Sequence, residues 1–531
     1  MLKMENWSIK ALTCSFALLI RWSVSFFDYS GAGKTPMYGD YEAQRHWQEI
    51  TVNLPVKEWY VNSTNNDLMY WGLDYPPLTA YHSFLCGIVA KYINPDWVAL
   101  NTSRGYESYQ HKLFMRYTVF LADILIYIPA VLWIFNSRKQ SSNDSYSFIK
   151  CILLTLLYPG LILIDYGHFQ YNCISLGFTI MAVASLANCH DVIGSILFCL
   201  ALNYKQMELY HAIPFFCFLL GSCLRDIKHG GFFRLIKIGF GVIVTFGICW
   251  APFLYSIEST QQVVHRLFPF ARGIFEDKVS NVWCALSVVI KWKQVFTRDR
   301  ILLMCLGSTL IGVLPSSIDL LFRPSFKKFR YSLVNCSMAF FLFSFQVHEK
   351  SILIPAISVC LLLPDHPFWC FWFLQISTFS MLPLLIKDGL LIPYISLMII
   401  YGMLYYNFNP GNNVDTRQKS DSTLWIYITE RLMFCISTVG VVILTLATVL
   451  VPPPERLPDL FPLVISVYSC GHFILFTLYF HYCQFTVNTG ISNKQSIKSD
   501  HNGKSKLDNT ESVKSKIAKS KYVKIKKKKQ Q

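Results

Sequence analysis

Charge is scarce in this chain. Of 531 residues, 15% are charged and 53% hydrophobic, with a mean hydropathy of +0.36. Soluble domains carry about 25% charged residues. So few charges cannot cover a water-facing surface, which excludes a row of soluble domains. The apolar content likewise excludes disorder and a collagen-like chain. Metal-ligand spacing is missing as well: there are 17 cysteines but no CxxC pair. Most cysteines lie in apolar runs (Cys14, Cys151, Cys199, Cys217, Cys223, Cys305, Cys360, Cys435), where the thiol behaves as a small hydrophobe. Walker A, GxSxG and HExxH patterns are absent, as is a GxGxxG following a strand. Nucleotide hydrolysis, nicotinamide chemistry and zinc proteolysis therefore lack their usual support. What remains is a polytopic membrane protein.

Apolar runs occur at about 9–27, 114–135, 150–164, 173–188, 191–203, 207–224, 234–257, 301–320, 332–345, 351–364, 369–386, 390–407, 425–450 and 461–483. This predicts an all-α chain of about 14 spans, with 12 as the lower count. Several runs fall short of the ~20 residues that cross a bilayer. The pairs around 188–207 and 345–370 therefore read as broken or re-entrant helices. Arg21 interrupts the first run, and Phe26-Phe27-Asp28 follows in place of a small-residue cleavage site, so an uncleaved anchor is expected.

Orientation follows from basic residues in short loops. With a cytosolic N-terminus, Arg138, Lys139 and Lys150 fall on the cytosolic side, as do Arg225, Lys228, Arg234 and Lys237, then Arg323, Lys327, Lys328 and Arg330, then Arg417 and Lys419. Lys291, Lys293, Arg298 and Arg300 oppose this pattern, and 282–292 is read as interfacial rather than spanning. Of the net charge of +16, much lies in the tail, where 13 lysines from Lys494 onward face Asp500, Asp508 and Glu511. After a membrane domain such a tail reads as cytosolic, with no nucleic-acid partner expected. Its end, Lys528-Lys529-Gln530-Gln531, resembles a dilysine retrieval signal of endoplasmic reticulum membrane proteins. Four parts are expected: a stub and first span (1–27), a long loop (28–112), a helical bundle (113–486) and the tail (487–531).

The most polar segments between spans converge on the opposite face. The 28–112 loop is too long for a connector. It holds Asn62-Ser-Thr64 and Asn101-Thr-Ser103 sequons, weak support for that sidedness. Near its start, Tyr41, Trp47 and Ile50 form one helical stripe with Asp40 at the N-cap, and Glu42, Arg45, His46 and Glu49 crowd the same turn. Two readings stand: Asp40 only caps the helix, or it is a general base whose pKa is raised beside the apolar bilayer. Further on, Tyr70-Trp71-Gly72-Leu73-Asp74-Tyr75-Pro76-Pro77 is either a sugar platform or an interfacial aromatic belt with Asp74 as a turn residue. On the same face, Arg266, Arg272, Lys278, His348 and Lys350 suit a lipid-borne phosphate, although a lone cation there more often snorkels.

Together, several motifs resemble one family. They are Gly39-Asp40-Tyr41-Glu42-Ala43-Gln44-Arg45-His46-Trp47, Tyr70-Trp71-Gly72-Leu73-Asp74-Tyr75-Pro76-Pro77-Leu78-Thr79, Ser103-Arg104-Gly105-Tyr106-Glu107-Ser108, Gly167-His168-Phe169-Gln170-Tyr171-Asn172, Phe268-Pro269-Phe270-Ala271-Arg272-Gly273-Ile274-Phe275-Glu276-Asp277-Lys278 and Phe345-Gln346-Val347-His348-Glu349-Lys350. The family is that of the endoplasmic reticulum α-1,3-glucosyltransferases that use dolichyl phosphate glucose. The resemblance runs from about residue 30 to 355. Gly39-Asp40, Ala43-Gln44-Arg45 and Trp71-Gly72 are similar to the branch adding the first glucose to lipid-linked Man9GlcNAc2, rather than the sister branch adding the second.

The resemblance implies a GT-C glycosyltransferase fold with a large luminal first loop in a multi-pass endoplasmic reticulum membrane protein. It implies an inverting transfer from dolichyl phosphate glucose to dolichyl-diphosphate-linked Man9GlcNAc2, with Asp40 as base. Arg272, Lys278, His348 and Lys350 would bind the donor phosphate. Glu42, Arg45, Trp71, Asp74, Tyr75, His168 and Gln170 are second-tier substrate contacts. No cofactor and no metal are implied, although Asp40, Glu42 and Asp74 are oxygen donors suited to a divalent ion. The long lysine-rich tail departs from the family pattern. A transporter of lipid-linked sugars is the rival from another class; for it, Asp123 and Asp319 are the main acids within spans.

Overall fold

The computed structural model describes residues 6–136, 145–268, 278–408 and 421–487. The chain divides into two units, Met1–Phe485 and Thr486–Gln531, and the architecture below belongs to the first. Among the described residues the regular elements are all helices, with a lone bridge between Ser63 and Asn66 outside them.

Among the described residues seven helices are long and apolar enough to cross a membrane: Tyr109–Asn136, Phe148–Phe169, Gln206–Arg225, Gly231–Phe253, Arg298–Phe322, Trp425–Leu450 and Leu460–Thr486. Three shorter apolar helices, Asn172–Ala187, Asp191–Tyr204 and Leu391–Asn407, accompany them. The runs at 351–364 and 369–386 are broken into Leu353–Cys360, Pro367–Phe379 and Leu382–Lys387. Pro367 and Pro383 start the later pieces, where a missing N–H costs nothing. The 282–292 segment holds only the five-residue turn Val282–Leu286 before a second short helix, Trp292–Val295, too short to span.

Two charges expected inside spans are accounted for by pairing. Arg21 is buried and its Nε donates to Asp123 Oδ2 at 2.8 Å, an oxygen that also accepts from the Tyr166 hydroxyl at 2.7 Å. Asp319 accepts from Lys328 Nζ at 2.8 Å and Gln484 Nε2 at 3.1 Å, and it pairs with Arg323. An isolated ion in an apolar interior is costly, and a hydrogen-bonded partner removes most of that cost. Both acids serve packing of the bundle.

The 28–112 segment folds around two helices. Asp40–Asn53 has no internal Gly or Pro, and Leu54, extended before Pro55, ends it. Pro77–Ile93 begins on the Pro76-Pro77 pair and packs against it. Trp47, Ile50, Trp59, Tyr60 and Leu73 form a core closed by Phe253, Val263 and Leu267. Truncating a buried tryptophan in such a core costs ~3–5 kcal/mol. The helix Ile257–Leu267 is thereby tied to the same layer, and Gln262 Nε2 donates to the Tyr60 carbonyl at 3.0 Å. Residues of this layer and residues at the starts of Gln206–Arg225 and Leu353–Cys360 line one cavity.

Candidate active site

The cavity has a volume of about 560 Å³, within the usual range for ligand pockets. One face of the Asp40 helix looks into it. Asp40, Ala43, Gln44 and Trp47 line the wall, the i, i+3, i+4, i+7 spacing of a single helical stripe. Asp40 is the first helical residue and Gly39 is the N-cap, with no side-chain capping bond. The capping reading of Asp40 is therefore corrected: its carboxylate is not spent on the helix end. Glycine is required at 39, because a Cβ there would come within 2.4 Å of Ser30 Oγ, which accepts from the Asp40 N–H at 3.3 Å.

Asp40 Oδ2 is the hub of the polar cluster. Lys350 Nζ donates to it at 2.6 Å, His168 Nε2 lies 3.1 Å away, and the Gln170 amide donates as well. Burial alone pushes the Asp40 carboxyl up. Lys350 and His168 overcome this and hold it well below the ordinary carboxylate range. The raised pKa expected beside a bilayer is therefore corrected, because the sequence could not show a cation 310 positions away lying against the carboxylate.

The His168 ring is held on its other side. Its Nδ1 lies 2.5 Å from Asp388 Oδ2, and Lys350 Nζ is 3.1 Å from Nε2. A π-helical turn, Leu163–Phe169, delivers the ring and ends at Phe169 in the left-handed region (φ +86°). Such turns gather at functional sites. Trp71 (φ +49°) and Gln346 (φ +56°), in the two other motif loops at the cavity, share this conformation.

Of the basic candidates, His348 and Lys350 line the cavity. Arg266 does too, and its guanidinium donates to the carbonyls of Gly72 at 2.8 Å and Leu73 at 3.2 Å, fixing the aromatic loop. Lys278 pairs with Asp459 at 2.7 Å and is not among the lining residues. Arg272 lies outside the described residues. Trp71, Asp74, Tyr75 and Gln170 line the wall.

Glu42 and Arg45 do not reach the cavity. Arg45 is buried, donating to Glu42 Oε1 and to Glu49 Oε2, each at 2.7 Å, and to Ser103 Oγ at 2.5 Å. Glu42 also accepts from the Tyr70 hydroxyl at 2.8 Å. Both side chains project from the opposite side of the Asp40 helix and brace it, which corrects their assignment to substrate.

Three residues at the site were missed. Lys205 lines the cavity, its Nζ donating to Asn172 Oδ1 at 2.5 Å; burial and then Lys350 pull its pKa down to about 8. Asp388 backs His168, and Gln44 follows Asp40 by one turn. Lys205 and Asp388 sit in the short polar breaks near 205 and 388, which alternation of the predicted spans puts on the same face as the other motifs. That signal was legible. Among the described residues no three His, Cys, Asp or Glu side chains are grouped to hold a metal. Glu42 faces away and is saturated by Arg45 and Tyr70, so Asp40, Glu42 and Asp74 do not form an ion cage.

A helical bundle whose cavity carries Asp40 and Asp74 on its wall among Lys205, Arg266 and Lys350 suits a membrane-embedded group-transfer enzyme. Comparison with known proteins makes the class specific: residues 17–479 match the model of the ALG6, ALG8 glycosyltransferase family, and the chain belongs to that family. It is 51% identical over 492 residues to the dolichyl pyrophosphate Man9GlcNAc2 alpha-1,3-glucosyltransferase of Gallus gallus, covering 90% of this chain and 97% of that one. It is 52% identical to the protein of that name in Mus musculus, with the same coverage. A probable enzyme of the same name in Drosophila melanogaster is 48% identical over 471 residues, covering 88% of this chain and 97% of that one.

Proposed function

We propose that the chain transfers the first glucose from dolichyl phosphate glucose to the terminal mannose of dolichyl-diphosphate-linked Man9GlcNAc2, in α-1,3 linkage with inversion, at the luminal face of the endoplasmic reticulum membrane. The observation that carries this reading is Asp40 on the cavity wall with Lys350 Nζ 2.6 Å from its carboxylate. A single inverting displacement needs one base for the acceptor hydroxyl and positive charge for the leaving phosphate. Asp40 takes the proton from the mannose hydroxyl as its oxygen attacks C1 of glucose. The C1–O bond breaks on the opposite face of the sugar and its electron pair leaves on the phosphate. Lys350 and Lys205 supply positive charge to that phosphate, and His348 a ring N–H donor.

Lys350 then has two tasks. In the free site it neutralises Asp40, which keeps the carboxylate ionised but weakly basic. A bound phosphate competes for the same ammonium, so base strength rises when the donor is in place. Trp71 and Tyr75 offer ring faces and Asp74 a polar edge for the acceptor sugar.

The names of the relatives favour the first-glucose reaction over the second. A transporter reading is disfavoured by Asp123 and Asp319, both committed to buried ion pairs. The test is transfer of radiolabelled glucose from synthetic donor to lipid-linked Man9GlcNAc2 by purified protein. Asp40→Asn, with an unchanged melting profile, is expected to lower kcat by about 10²–10⁴-fold. An amide variant working at the wild-type rate would rule Asp40 out as the base.

A further inference from the structure

Asp388 is far from the motifs that mark the cavity, yet its carboxylate is buried and aimed at His168. Three groups stand in line: Asp388 Oδ2, then the imidazole at 2.5 Å, then Asp40 Oδ2 at 3.1 Å. A carboxylate can only accept, so Asp388 fixes the proton of a neutral imidazole on Nδ1. In the neutral ring Nε2 accepts from Lys350 Nζ at 3.1 Å, and once charged it donates to Asp40 Oδ2 at 3.1 Å.

The backbone around this pair is fastened from several sides. The Ser30 N–H donates to the His168 carbonyl at 3.1 Å, and Arg116 Nη2 donates to the Gly167 carbonyl at 2.9 Å. Lys34 Nζ donates to the Lys387 carbonyl at 2.8 Å, next to Asp388, and Gly389 follows it at φ +73°. A buried histidine used only for packing does not need a carboxylate on each nitrogen. The charged groups facing the ring are Asp40, Asp388 and Lys350, with Lys205 and Arg116 beyond them.

We propose that His168 is a proton relay behind Asp40 and that Asp388 is the positioning residue that holds its tautomer and supports its charged form. The proposal rests on Asp40 being the base. In the forward reaction the mannose hydroxyl proton moves to Asp40 as the glycosidic bond forms and the bond from C1 to phosphate breaks. Asp40 then passes that proton to His168 Nε2, and the imidazolium lies between two carboxylates. As the products leave, the proton goes to water. Asp40 is again ionised and His168 neutral for the next turnover, with no net proton gained by the enzyme.

The test is a pH profile of kcat on purified full-length protein with both lipid-linked substrates. Asp388→Asn is expected to lower kcat about 10–100-fold with KM for each substrate within about twofold. It is also expected to move the acid limb to lower pH, because the imidazolium loses its supporting carboxylate. Asp388→Glu should restore the limb in part. A merely structural Asp388 would lower the active fraction and leave the limb in place, and that result overturns the proposal. If Asp388→Asn does not fold, His168→Gln keeps hydrogen-bonding groups toward both neighbours but cannot carry the proton. It should lose at least about tenfold in kcat and show no limb from position 168; wild-type kcat in it overturns the relay. Asp40→Asn run in parallel separates the two readings. An inactive Asp40→Asn with a wild-type Asp388→Asn removes the relay alone, whereas an active Asp40→Asn removes the base and the relay together.

Discussion

Replacing Lys350 by methionine removes the ammonium and keeps most of the side-chain volume. Two effects then oppose each other, and their sizes decide the outcome. At 2.6 Å from Asp40 Oδ2, a unit charge contributes about 1.6 kcal/mol at the dielectric constant of bulk water and about 6 kcal/mol at an effective value of 20. The two side chains are 17% and 23% exposed, which puts the site between those limits. Since one pKa unit is about 1.36 kcal/mol, the Asp40 carboxyl should rise by at least about one unit. A stronger base speeds proton removal by less than about tenfold. Loss of a preorganised charge at the leaving phosphate costs about 10²–10³-fold. The second effect wins, so kcat for Lys350→Met should fall about 10–100-fold, and the donor KM should rise.

The sign of the pH effect is fixed as well. With Lys350 in place, Asp40 is ionised throughout the neutral and mildly acid range. Protonation of Asp40 itself therefore contributes no acid limb to kcat/KM of the wild type above its ordinary value, near ~4. In Lys350→Met a limb from Asp40 should move upward in pH. Glucose transfer between the lipid-linked substrates, followed from about pH 3 up to about pH 8 so that the window begins below the ordinary carboxylate value of ~4, reads both quantities. A variant within about threefold of wild-type kcat, with an unmoved limb, would refute the reasoning.

Further expectations concern the scaffold and its sidedness. Arg45→Met leaves Glu42 and Glu49 buried without their cation and should cost ~3–5 kcal/mol, seen as a lower melting midpoint; a variant as stable as wild type would contradict the bracing role. Burial pushes the Glu49 carboxyl up, but His46 and Arg45 bring it down to about 2. Its contribution to stability is complete above the unfolded value of ~4.3 and is lost as pH falls through about 2, so the acid decline of wild-type stability should flatten in Arg45→Met. Cys189 is exposed in the turn between Asn172–Ala187 and Asp191–Tyr204. In sealed vesicles with the cytosolic face outward, an impermeant maleimide should label it without detergent, with Cys189→Ser as control. Labelling that needs permeabilisation would reverse the orientation.

The hydropathy of this sequence by itself determined that the chain is a helical membrane protein, because backbone groups in lipid must pair within their own segment. The motifs that face one side named Asp40, Trp71, Asp74, Tyr75, Gln170, His348 and Lys350, and all of them line the cavity. Sequence crowding misled at Glu42 and Arg45. Each residue of a helix is turned by about 100° from the last, so neighbours of Asp40 in sequence face away from it in space. The helix rotation was not legible: at about 100° per residue Tyr41 and Ile50 stand on opposite sides, so Tyr41, Trp47 and Ile50 share no single stripe, and Glu42 and Arg45 are buried as those three are.

Tertiary structure alone decided which polar groups meet. His168 and Asp388 are 220 positions apart, and Asp40 and Lys350 are 310 apart. Hydropathy can assign each of them to a membrane face, but contact depends on how the broken helices Leu353–Cys360 and Leu382–Lys387 and the π-helical turn at His168 end against one another. The same contacts set the basicity of Asp40. Electrostatic interaction depends on distance in space, and spacing along the chain does not report it.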